Sequence, residues 1–121
     1  MAKIERFEDL ECWKAARELV NKVFTVCKTE PLRSDFETKI QLKKAALSSM
    51  NNIAEGFSRY HKKDSIKFYD YAQSSAAEVK SMIYVLLDNK YLPKEDTDEL
   101  FGKSEKTKNL TLGFIRWVDR R

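Results

Sequence analysis

The stretch KKAALSSMNNIAEGFSR, residues 43–59, has helical spacing, yet one of its sides carries only small and polar residues. At about 100° per residue, Phe36, Ile40, Leu47, Met50, Ile53, Ala54 and Phe57 gather on rather less than half of the circumference. Gln41, Ala45, Ser48, Ser49, Asn52, Glu55, Gly56 and Arg59 fall on the other side. Within that set, Gln41, Ser48, Asn52, Glu55 and Arg59 form one line with steps of seven, four, three and four. A solvated face is normally filled with Lys, Glu and Arg, which are good helix formers with long hydrated side chains. Ala, Ser, Asn and Gly instead let another backbone come close, and the polar ones can bond to each other or to a partner. This pattern predicts a helix contacted on both sides, by its own bundle and by another subunit. The alternatives are a poorly optimised surface and a catalytic pocket, although this line pairs no nucleophile with a base.

Outward from this helix, four segments carry helical periodicity with short breaks between them, at roughly 8–28, 35–58, 64–89 and 94–119. In the first, Leu10, Trp13, Ala16, Val20, Val23, Phe24 and Cys27 form one broad stripe, with Glu8, Asp9 and Glu11 at the positive end of the helix dipole. Pro31 marks the first break, and Ser34 with Glu37 reads as a capping box for the second helix. Asp64 or Ser65 can cap the third, whose stripe is Phe68, Ala72, Ser75 or Ala76, Val79, Met82 or Ile83, and Leu86. Asn89 suits its C-cap and Pro93 marks the next break. The fourth has acids at its start and Arg116, Arg120 and Arg121 at its end, with Leu100, Thr107, Leu110, Phe114, Trp117 and Val118 inward. Gly102 and Gly113 imply either close packing there or simply a less stable helix. Short breaks force consecutive helices to run antiparallel, so the expected fold is all-α, an up-down-up-down four-helix bundle forming one domain over residues 1–121.

Composition narrows the functional classes. Three glycines and two prolines in 121 residues are too few for a loop-rich or all-β chain. Cys12 and Cys27 lie in one expected helix, which argues against a mutual disulfide and points to a reducing cytoplasm. The opening MAKIERFEDLE has charges where a signal peptide needs an apolar run, and MIYVLL at Met82–Leu87 is too short to cross a bilayer. With 23 basic and 19 acidic residues interleaved, a nucleic-acid surface has to come from local clusters rather than from net charge.

The same residues carry a family likeness. QLKKAALSSMNNIAEGFSR, residues 41–59, resembles the central signature of the bacterial four-helix-bundle proteins encoded within intervening sequences of 23S ribosomal RNA genes. Gln41, Leu42, Ala45, Ala46, Ser48, Asn52, Ile53, Ala54, Glu55, Gly56 and Arg59 match that signature. FEDLECWKAARELVNKVF, residues 7–24, is similar to the family's opening helix, and KFYDYAQSSAAEV, residues 67–79, to its third. Lys43 and Lys44 stand where the family usually has an arginine pair, and Met50 where a proline is common, so this second helix should be straighter. The resemblance implies a homopentamer of four-helix bundles. Distantly similar is the accessory protein of diversity-generating retroelements, a basic pentamer that binds nucleic acid and a reverse transcriptase; this implies an RNA-related or ribonucleoprotein role by analogy.

The candidate phosphate contacts are Lys43, Lys44, Arg59, Lys62, Lys63 and Lys67, with Tyr60 able to stack on an unpaired base and His61, Tyr69 and Tyr71 nearby. The bland alternative for this cluster is a solvated turn. Lys103, Lys106 and Lys108 with Arg116, Arg120 and Arg121 form a second, more diffuse cluster. Gln41, Ser48, Asn52, Glu55, Gly56, Ser75 and Glu78 are the expected structural or interface set, with Glu55 and Glu78 bonding to Asn52, Gln41 and Arg59. No phosphate-cradling glycine loop, zinc spacing or nucleophile elbow is present, so no catalytic residue, metal or cofactor is expected. The expected function is that of a non-enzymatic oligomer that binds structured RNA or DNA; the alternative is a scaffold that binds a protein partner through its helical faces.

Overall fold

Four lines of buried residues, each alternating steps of three and four, build the molecule. The computed structural model describes residues 3–121. Its helices are α1 (Glu11–Val26), α2 (Phe36–Phe57), α3 (Lys62–Asp88) and α4 (Lys94–Asp119), with single 3-10 turns at Phe7–Asp9 and Leu32–Ser34. The inward lines are Cys12, Ala16, Leu19, Val23 and Val26 on α1, and Leu42, Ala46, Ser49, Ile53 and Gly56 on α2. On α3 the line is Ser65, Tyr69, Ala72, Ala76, Val79, Ile83 and Leu86; on α4 it is Thr97, Leu100, Ser104, Thr107 and Thr111. A period near 3.5 keeps each stripe facing its neighbours along the whole helix.

Contacts between the helices fix their directions. Ser48 on α2 meets Ser75 on α3, while Gly56 meets Tyr69 and Ser65, so the two run oppositely. Lys80 with Glu105 and Tyr69 with Phe114 set the same relation between α3 and α4. Lys22 near the end of α1 bonds Asp96 at the start of α4, at 2.8 Å. Consecutive helices therefore alternate in direction, as the short breaks require. Among the described residues no helix is long and apolar enough to cross a membrane.

Several local expectations change. The second helix is capped by Asp35, not Ser34. The Asp35 carboxylate accepts from the Thr38 N–H at 3.1 Å and from the Tyr91 hydroxyl at 2.8 Å, while Ser34 donates to Glu30. The Tyr91 hydrogen bond and those from Thr38 hold the Asp35 carboxyl below its ordinary range. Glu8 and Asp9 belong to the 3-10 turn, and α1 starts only at Glu11, after buried Leu10. The third helix begins at Lys62, ahead of Asp64 and Ser65, with His61 at its N-cap. Asn89 does sit at the C-cap, where its amide donates to the Val85 carbonyl.

The larger correction concerns the two sides of α2. Phe36 and Ile40, expected inside, are 66% and 54% exposed, whereas Ala45, Ser49 and Gly56, expected on the opposite side, are buried in the chain's own core. The reason is close approach. A Cβ on Gly56 would lie 2.6 Å from Tyr69 Cε1 and 2.9 Å from the Ser65 carbonyl oxygen, so α3 occupies that space. Much of the small-residue side thus receives a helix of the same chain.

On α4 the buried line is mostly hydroxyls, while Leu110, Phe114, Trp117 and Val118 are only half-buried. Thr97, Ser104, Thr107 and Thr111 each donate to a carbonyl three or four residues earlier, at 2.7–2.9 Å. No buried side-chain polar atom among the described residues lacks a partner, so these positions avoid the desolvation penalty of an unpaired group.

Neither remaining glycine is tightly packed. Nothing approaches within 4 Å of a Cβ at Gly102, and at Gly113 the nearest atom is an Arg116 nitrogen at 3.8 Å. The weaker-helix alternative therefore holds for both. In chemical denaturation, Gly56→Ala should lose about 1–3 kcal/mol by overpacking. Gly102→Ala should gain up to about 1 kcal/mol through helix propensity. The opposite sign for either variant would contradict the packing described here.

Candidate nucleic-acid interface

The turn Ser58–His61 carries the basic stretch to one end of the bundle, where α4 also ends. Lys62 Nζ donates there to the backbone oxygens of Asp119 at 3.4 Å and Arg121 at 3.3 Å. Lys62 of the first basic cluster and Arg121 of the second, far apart in sequence, thereby become neighbours. Cations suit the C-terminal end of a helix, and Lys62 supplies one to α4. Between the segments lies a cleft of about 360 Å³ lined by Lys3, Ile4, Phe57, Tyr60, Lys62, Ser65, Tyr69, Phe114, Trp117, Val118 and Arg121.

An aromatic series runs from the core to the edge of this cleft. Tyr69 meets Phe114 edge-on at 5.0 Å between centroids, and Phe114 stacks on Trp117 at 5.7 Å. The Arg121 guanidinium lies 4.2 Å over the Trp117 ring. Such a cation over an indole face is attracted by the ring quadrupole and also leaves a planar, charged surface facing outward. Burial pushes the Tyr69 hydroxyl well above the usual phenol range, so it stays protonated and able to donate.

The expected phosphate contacts do not form one patch. Tyr60 and Lys62 line the cleft, whereas Lys63 and Lys67 border a separate groove of about 550 Å³ with Asp64, Asp70, Ile66, Leu112 and Ile115. Arg59 is paired with Glu55 and lies 4.4 Å over the Phe68 ring. Lys43 sits 4.7 Å over Phe24, and Lys44 shares a shallow pocket with Gln41, Ala45, Ser48 and Glu78. Tyr69, grouped with the loop tyrosines in the sequence, is only 3% exposed, while Tyr71 remains exposed. His61 is exposed and meets Tyr60 edge-on.

The expected network on α2 and α3 separates into three parts. Ser48 and Ser75 share a hydrogen bond of 2.8 Å, and the Asn52 amide donates to both the carbonyl and the hydroxyl of Ser48. Glu55 pairs with Arg59, an i,i+4 pair on an exposed surface, of small energetic weight. Gln41 and Glu78 flank the shallow pocket instead. The cleft residues Arg121, Trp117 and Phe114 were read from the sequence as a diffuse cluster and a core stripe. Their spacing along α4 carries the only sequence signal, and nothing local ties them to Lys62.

Other chemistry is sparse. Among the described residues no group of three His, Cys, Asp or Glu side chains could hold a metal ion. Both cysteines are free and buried.

Fold and site define an all-α four-helix protein with a cationic, aromatic-lined end. It belongs to the 23S rRNA-intervening sequence protein family, whose model matches residues 8–113, in agreement with the resemblance carried by residues 41–59. Among solved structures it is similar to a protein of unknown function from the S23 ribosomal protein family of Bacteroides thetaiotaomicron. The TM-score is 0.78 at 18% identity, over 86% of this chain and 97% of that one, a likeness of fold. No curated protein matches the sequence.

The thiols offer a direct check on this core. Burial pushes Cys12 up to about 11 and raises Cys27 as well, so little thiolate exists near neutral pH. Native protein at about pH 8 should resist alkylation at both thiols on a timescale at which denatured protein reacts fully. Rapid labelling of Cys12 in the native state, read by mass spectrometry, would contradict its placement.

Proposed function

We propose that this chain is a non-enzymatic cytoplasmic accessory factor that binds structured nucleic acid through the end of the bundle where α3 starts and α4 finishes. The observation that carries this reading is the meeting of Lys62 with the Arg121 backbone oxygen, which brings Lys62 and Arg121 together beside exposed Tyr60 and half-buried Trp117, while Lys63 borders the neighbouring groove and Arg120 precedes Arg121 at the end of α4. Lysine and arginine neutralise phosphates and release counterions, while aromatic rings offer stacking surfaces to unpaired bases. Lys43, Lys44 and Arg59 lie elsewhere, and two of them are engaged with rings. In this reading they play a lesser part.

Self-association as a homopentamer completes the proposal and would repeat the basic end around a ring, converting weak contacts into avidity. Its support is the set of large apolar side chains left in water, Phe24, Phe36, Ile40, Tyr84, Val85 and Leu87. The same side chains favour the second reading, a scaffold that docks a protein partner through its helical faces.

Binding to an RNA or DNA hairpin should weaken steeply with salt. The log–log slope should be roughly −3.6 if four cations per subunit engage a duplex. Lys63→Glu with Arg120→Glu should remove that binding without a loss of helical signal; undetectable binding at low ionic strength would end this reading. The solution mass should be about five times the 14.2 kDa of the chain, and Ile40→Glu should lower it. A monomeric wild-type mass would remove the pentamer.

A further inference from the structure

The cleft at the basic end contains more chemistry than phosphate contact requires. Tyr69 forms part of its lining while the residue is 97% buried, and among the described residues no hydrogen bond is found from its hydroxyl. The hydroxyl is not enclosed, since no fully buried side-chain polar atom among the described residues lacks a partner, so it is open to water or to a ligand that displaces the water. Ser65 adds a second hydroxyl to the same lining. Tyr60 also lines the cleft yet is 94% exposed, an aromatic surface with almost no protein covering it. Phe114 and Trp117 continue the aromatic wall outward to the guanidinium of Arg121. At about 360 Å³ the space falls within the range of small-ligand sites, which typically combine apolar walls with a few placed polar groups.

We infer that this cleft is a nucleobase pocket, which takes one unpaired base turned out of a bulge or loop. The inference rests on the nucleic-acid reading above and specifies which part of the ligand enters the protein. Planarity selects the occupant. Base faces stack on Tyr60 and Trp117, and a base edge carries an acceptor to which the protonated Tyr69 hydroxyl can donate. Lys62 and Arg121 at the opening meet the phosphates on either side of the extruded nucleotide. Arg121 already lies on the Trp117 face, so a guanidinium holds the place that a base takes when bound. A fully paired duplex presents no free base and engages only the cations.

The test compares an RNA hairpin bearing a single-nucleotide bulge with its fully paired counterpart, and repeats the pair in DNA, by fluorescence anisotropy with the full chain. The bulged forms should bind about tenfold tighter, in keeping with the strength of one base–aromatic stack. Tyr69→Phe keeps the ring packed on Gly56 and removes only the hydroxyl; it should reduce the preference several-fold and leave affinity for the paired hairpin unchanged. Trp117→Leu should remove most of the preference. A bulged preference confined to RNA or to DNA supports the pocket and names its source. Equal affinity for bulged and paired hairpins overturns the pocket alone, as does a preference unaltered in both variants. Failure to bind either hairpin overturns the pocket together with the nucleic-acid reading.

Discussion

The contact between Gly56 and the first turns of α3 is the constraint on which the basic end depends. With the Ser65 carbonyl and the Tyr69 ring both inside 3 Å of where a Cβ would stand, α2 and α3 approach too closely there for any side chain but glycine's. That approach sets the path of the turn Ser58–His61, which in turn brings Lys62 against the end of α4. It also turns Tyr69 inward, so that the residue serves the core with its ring and the cleft with its hydroxyl. One missing side chain thus positions both cationic segments and the aromatic wall between them.

The bundle holds together through two apolar clusters of different character. One, around Leu19, Val23, Leu42, Val79, Ile83, Leu86 and Leu100, is dense with aliphatic side chains. Its end of the molecule is tied further by Asp35 with Tyr91 and by Lys22 with Asp96 and Glu99. The other, around Leu10, Cys12, Ala16, Ile53, Tyr69 and Ala72, rests on partly buried Phe57, Phe114 and Val118. Small side chains and half-covered aromatics make this second cluster continuous with the cleft. The proposed binding surface lies at this end, where the core reaches the outside.

The threonines and serines of α4 show how a bundle tolerates polarity. Each buried hydroxyl returns its hydrogen bond to its own helix, so no neighbouring side chain has to be matched. This frees α4 to present half-buried Phe114, Trp117 and Ile115 sideways to the cleft and to the groove beside α3. The family match over residues 8–113 covers most of this architecture but ends before Trp117 and Arg121. The α4 wall of the cleft, Phe114, Trp117, Val118 and Arg121, therefore lies beyond the matched residues, while Tyr60, Lys62, Ser65 and Tyr69 lie within them.

The sequence by itself determined four helices, their breaks at Pro31 and Pro93, their alternating directions and the family, because periodicity, turn residues and short connections are local properties. The 3–4 alternation of Thr97, Leu100, Ser104, Thr107 and Thr111 was also present there to be read, but the apolar pattern placed only Leu100 and Thr107 of it inward, because hydroxyls at the other positions do not register as apolar. Only the tertiary structure decided which side of α2 turns inward. Small residues read alike whether the helix lying on them is α3 or another subunit, and Phe36 and Ile40 look equally apolar inside or out. Only folding, likewise, placed Lys62 beside Arg121 and closed Tyr69 behind Gly56. These are meetings between residues on separate helices, set by the distance at which backbones can pack, and no local pattern encodes them.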